Sequence, residues 1–121
     1  CVFAGSLSLP EISWLLRRAF CTVICYKKTS ANQIYCEPNR LYHAMGMGAR
    51  IIAGNNPTMA EEMAGYPRGI VLGDDGAAAD GVFFALQAIV DCPVFDDASI
   101  NAIKTWMDCE RVVLSIVCEG E

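Results

Sequence analysis

Pro38-Asn39-Arg40-Leu41-Tyr42-His43-Ala44-Met45-Gly46-Met47-Gly48-Ala49-Arg50-Ile51-Ile52-Ala53 reads as a helix start, a short helix, a glycine stop and a buried strand. Pro38 presets the backbone for the first helical turn, where its missing N–H costs nothing because the N–H groups there are unpaired anyway. The free N–H groups that follow point out of the helix end toward any bound phosphate. Gly46 and Gly48 are expected to stop the helix and let the chain turn closely into Ile51-Ile52-Ala53. The stretch is therefore an anion-ready helix start joined to a core strand.

Working outward, the same alternation of short apolar runs and helical patterns continues in both directions. Upstream, Val2-Phe3-Ala4 reads as a strand ended by Gly5-Ser6, and Leu9-Pro10-Glu11 opens a helix whose apolar face is Ile12, Leu15, Leu16 and Ala19. Cys21-Thr22-Val23-Ile24-Cys25-Tyr26 is a β-branched run suited to a buried strand, and polar residues 27–33 read as the loop after it. Downstream, Gly54-Asn55-Asn56 is a loop, Pro57 to Ala64 a short helix ended by Gly65, and Gly69-Ile70-Val71-Leu72 a further strand closed by Gly73-Asp74-Asp75-Gly76. Residues 77–90 read as a helix, and a second helical region runs from about residue 98. Four short strands separated by helices predict an α/β fold, a Rossmann-like parallel sheet flanked by helices, in a single domain over residues 1–121.

Composition narrows the function classes. A chain of 121 residues with 54% hydrophobic residues fits one domain with a real core, and its mean hydropathy of +0.32 suits strands covered on both faces. No apolar run reaches the roughly 18 residues of a membrane span, and a cytoplasmic protein is expected. The net charge of −5, from 14 acids against 9 bases, argues against nucleic acid as a partner. Seven cysteines without a CxxC pair read as buried reduced thiols rather than a disulfide or zinc framework. The pairs Asp74-Asp75 and Asp96-Asp97 have no partner ligands at a recognisable spacing, so no metal and no resident cofactor is expected. A strand directly at Cys1 suggests a piece of a longer chain.

In an open parallel sheet, ligands bind beyond the carboxyl ends of the strands, which directs attention to residues 5–7, 27–39, 54–58 and 73–76. Phe3-Ala4-Gly5, the helix at Pro10, the strand at Val23 and the Pro38–Gly48 motif fall in the order seen in the C-terminal, nucleotide-sugar-binding domain of GT-B glycosyltransferases. The central motif resembles bacterial family 4 (group 1) sugar transferases, whose site reads Pro-Asn-Lys-Leu-Phe-Glu-Tyr-Met-x-x-Gly-x-Pro-Val, and Trp106-Met107-Asp108-Cys109-Glu110 is similar to their Trp-bearing closing helix. The resemblance implies the C-terminal half of a GT-B fold, N-terminally incomplete, with a nucleotide diphosphate sugar as donor substrate. Its partner would be an acceptor-binding N-terminal domain outside this sequence. Peripheral association with the inner face of the membrane goes with such a role, and the isolated chain is not expected to be active.

Carried over residue by residue, the resemblance places the donor diphosphate at Pro38, Asn39 and Arg40, and the base near Gly5, Ser6 and Leu7. Asn55 and Thr58 flank the next helix start as supporting groups; alternatively, Asn39 and Thr58 simply cap their helices. His43 stands where the family has a Glu that accepts hydrogen bonds from the ribose hydroxyls, and Tyr35 where retaining members often carry an earlier Glu. A neutral imidazole accepts one hydrogen bond and donates another, so it can hold a ribose but cannot grip two hydroxyls as a carboxylate does; alternatively, His43 is a satisfied core residue. Glu37 is the candidate catalytic carboxylate or a solvated helix-start charge, and Lys27, Lys28 and Arg40 are the cations available to a leaving diphosphate, the lysines alternatively being exposed solvating charges. Two rival classes remain beside the transferase: a noncatalytic interaction module that keeps the half-fold, and a dinucleotide oxidoreductase or receiver-like domain. The last is disfavoured because no strand is followed by GxGxxG.

Overall fold

Gly48 takes a left-handed backbone, φ 66°, which only glycine adopts without strain, and it turns the chain from helix to strand. In a computed structural model of the chain, which describes residues 5–91, this turn joins helix α3 (Asn39–Gly46) to strand β2 (Ile51–Ala53). The amide of Gly48 donates to the carbonyl of Met45 at 2.9 Å, and that of Ala49 to Ala44 at 3.0 Å. This is the paired closure of a Schellman motif, with Gly48 just past the helix end. Leu41, Ala44 and Met45, spaced three and four apart, form the buried face of α3.

Around this unit the order is α1 (Leu9–Arg18), β1 (Thr22–Ile24), α2 (Ala31–Tyr35), α3, β2, α4 (Pro57–Met63), β3 (Gly69–Val71) and α5 (Ala79–Ala88), then one 3₁₀ turn at Ile89–Asp91. The strands form a parallel sheet in the order β1-β2-β3, with Val23 opposite Ile52 and Ile52 opposite Ile70. Strand alternation sends Ile51 and Ala53 to one face and Ile52 to the other. The first face packs on Leu41, Ala44 and Met45 of α3 and on Met59 and Met63 of α4. The second meets Ala85 of α5 and Ile89. Among the described residues the architecture is thus an open three-stranded parallel sheet with helices on both faces.

Several expectations change in detail. Covering on both faces holds for β2, whose residues are all buried, whereas Val23 on β1 and Val71 on β3 are exposed, because these two strands flank the sheet. The expected loop at residues 27–33 contains the start of α2, which Ser30 caps by accepting the amide of Gln33 at 3.3 Å. Pro38 lies one position outside α3, with an extended backbone (φ −75°, ψ 124°), and its carbonyl accepts the Leu41 amide at 2.8 Å. The expected strand at Val2-Phe3-Ala4, the helical region from residue 98 and the Trp106 motif lie outside the described residues.

Candidate functional site

The start of α3 lies on the loop side reached from the carboxyl end of β1. Pro38 is buried and carries no N–H, while Asn39 and Arg40, the first two helical residues, are exposed. Their amides have no carbonyl of their own helix to meet, so α3 presents its positive end with open donors. Arg40 is held beside this end: its Nε donates to the Tyr26 hydroxyl at 2.9 Å, and its guanidinium carbon lies 4.7 Å from the centre of the Tyr26 ring. Tyr26 follows β1, so the strand end aims a cation at the helix start. Glu37 accepts a hydrogen bond from Tyr42 at 3.1 Å and remains exposed next to Pro38.

The start of α4 is arranged differently. Asn56 precedes the helix and is completely buried, with Nδ2 donating to the Gln33 carbonyl at 2.8 Å. Thr58 donates to the Cys36 carbonyl at 3.0 Å. Both bonds hold the segment from α2 into α3, and neither Asn39 nor Thr58 occupies the cap position of its helix, which falls on Pro38 and Asn56. Asn55 bridges strand ends, with Nδ2 donating to the Gly73 carbonyl at 2.6 Å and its amide to Asp74 at 2.8 Å. The Oδ1 atoms of Asn55 and Asn56 are buried without a partner among the described residues. Gly54 allows this crowding, since a Cβ there would stand 3.2 Å from both Asn56 Oδ1 and the Asp75 carbonyl oxygen.

His43 sits one turn along α3 from Asn39, on the same helix face. It is half-buried, and its Nε2 lies 2.8 Å from the hydroxyl of Ser13 on α1. Gly5, with φ 69°, and Ser6 are exposed; Leu7 is half-buried beside a shallow apolar groove of about 480 Å³ that also involves Pro10, Glu11, Trp14 and Leu15. The structure therefore places Asn39, Arg40 and His43 on α3 with Pro38 just ahead of it, and gives Asn55 and Thr58 bracing bonds to neighbouring backbone. Tyr26, Asn56 and Ser13 were not singled out from sequence as site residues. Of these only Tyr26 carried a signal, an aromatic at the end of a strand.

The electrostatics disfavour thiol chemistry. Burial pushes the Cys25 thiol up, and Asp74 and Asp75 push it further, against a Gly54 backbone bond and the charge of Arg40, which draw it down. Burial likewise raises the Cys21 thiol. Neither is a ready nucleophile at neutral pH. Asp74 and Asp75 are occupied by backbone amides: Asp74 by Gly76 at 2.8 Å, Asp75 by Ala77 and Lys28 at 3.2 Å each. Among the described residues no group of three or more His, Cys, Asp or Glu side chains is placed to hold a metal ion, and no helix is long and apolar enough to cross a membrane. Comparison with known protein families, curated proteins and solved structures finds no match.

Proposed function

We propose that this chain is the nucleotide-sugar-binding half of a GT-B glycosyltransferase, a Rossmann-like domain that holds the donor diphosphate at the start of α3. The observation that carries the reading is the open helix start, with Asn39 exposed and Arg40 held on Tyr26 beside it, next to the carboxyl end of a parallel sheet. A diphosphate at this position receives backbone N–H donors, the helix dipole and a guanidinium. The nucleoside sugar extends along α3 toward His43, and the base toward Gly5, Ser6 and Leu7. Asn55 and Thr58 support the site by fixing the loops around it. In the intact protein an acceptor-binding domain closes over the donor, and Glu37 is the carboxylate nearest in sequence to the phosphate end.

Calorimetric titration with UDP- and GDP-sugars tests this directly. Binding is expected, and Asn39→Ala and His43→Ala each weaken it by about 1 kcal/mol or more if they hydrogen-bond the ligand. Absence of nucleotide binding by the intact protein would sink the transferase reading. A noncatalytic module that retained the half-fold is the second reading, favoured by the imidazole in place of a two-oxygen carboxylate at position 43. It predicts nucleotide binding without sugar transfer, or no binding at all.

A further inference from the structure

The hydroxyl of Ser13 stands between two partners. It lies 2.9 Å from the carbonyl of Leu9, one turn back along α1, and 2.8 Å from Nε2 of His43 on α3. A hydroxyl has one proton to give, and a carbonyl can only accept. With that proton directed to Leu9, Oγ meets His43 with a lone pair, and Nε2 must supply the hydrogen of the second bond. A neutral imidazole protonated at Nε2 keeps its acceptor lone pair at Nδ1. Among the described residues Nδ1 has no hydrogen-bond partner.

We propose that Ser13 is a positioning residue that holds His43 in the Nε2–H tautomer, so that the site presents one neutral acceptor, Nδ1, to one sugar hydroxyl of a bound nucleoside diphosphate. The proposal rests on the nucleotide-sugar reading, and it deepens that reading in one respect. A carboxylate offers two acceptor oxygens and can bridge two hydroxyls, whereas this imidazole takes one. Removing a sugar hydroxyl that Nδ1 does not engage therefore costs little affinity. Ser13 itself touches no ligand and acts through the ring it orients.

The sequence contains one histidine, so labelling histidine with nitrogen-15 yields a single imidazole pair. In mildly alkaline solution, where imidazoles are neutral, the free chain is expected to give the spectrum of a protonated Nε2 and a bare Nδ1. Ser13→Ala shifts that pair toward tautomer averaging, and Ser13→Thr, which keeps the hydroxyl, restores it. Titration with UDP or GDP moves the Nδ1 resonance, and Ser13→Ala weakens binding about threefold. A protonated Nδ1 in the free chain, or an unchanged pattern in Ser13→Ala, overturns the tautomer lock. A titration that shifts the amides of Asn39 and Arg40 but leaves Nδ1 in place overturns the hydroxyl contact while the nucleotide reading stands. No shift at any of these groups overturns both.

Discussion

Helices α3 and α4 both begin on the loop side of the sheet, and their first turns are used in opposite ways. At α4 the polar groups turn inward: Asn56 is fully buried on the Gln33 carbonyl, and Thr58 is bonded to the Cys36 carbonyl. At α3 they turn outward: Asn39 and Arg40 are exposed, and the one bond Arg40 makes through Nε goes to Tyr26, which steadies it without neutralising it. The difference separates a helix start whose polar groups brace the fold from one whose polar groups stay exposed, the end at which the proposed diphosphate would sit. Indeed, the residues that close the first start hold the very segment that delivers the second.

If that division is right, substitutions on the two helices should separate into stability effects and binding effects. Asn56→Ala is expected to have the largest consequence, about 3 kcal/mol of stability, because it removes a buried hydrogen bond and leaves a cavity. Chemical denaturation measures it, and a loss below about 1 kcal/mol would break the contrast by showing α4 to be dispensable. Arg40→Ala comes next: nucleoside diphosphate affinity falls about tenfold, as expected for a charge-assisted contact, while the melting temperature is unchanged. Thr58→Val costs about 1 kcal/mol of stability, and its effect on nucleotide affinity, read in the same titration, is smaller than that of Arg40→Ala.

A control lies at the opposite end of β2. Tyr66 is buried and donates to the Ala49 carbonyl at 2.6 Å, just before the strand. Burial raises its phenol from the ordinary value of 10.0 to about 12, so the fold favours the neutral form. Its contribution to stability is therefore intact below about pH 10 and is lost as pH rises toward about 12. Alkaline denaturation followed by tyrosine absorbance should show this loss, and Tyr66→Phe should remove that pH dependence. At neutral pH the same variant has the smallest effect of the series, about 1 kcal/mol or less.

What could be read from sequence follows from the range over which each signal acts. The helix, glycine turn and buried strand from Asn39 to Ala53 were legible because apolar spacing and Gly48 are local. Helix α2 was hidden by its polar composition and its length of five residues; the only local sign was Ser30 at its cap. Pro38 fell one position outside the expected first turn, a displacement that proline tolerates because its fixed φ suits both places. In the site, the exposed pair Asn39 and Arg40 could be anticipated from the helix start. The burial of Asn56 could not, because its partner Gln33 belongs to a different element, and a polar doublet after a strand reads equally well as a solvated loop. The Ser13 to His43 bond was likewise invisible, since it depends on how α1 crosses α3.

The fit of Gly76 against Cys25 has a consequence for measurement. Gly76 adopts φ 84°, and even a methyl group added there would approach within 2.7 Å of the Cys25 Cβ. An adduct that extends from the Cys25 sulfur toward Gly76 therefore pushes the 74–76 turn away from the strand end. Cys25 is half-buried, so its labelling rate reports how closely the turn is held against it. A small thiol reagent should label it faster as the rim of the sheet lifts, and a ligand that clamps the rim should slow the labelling.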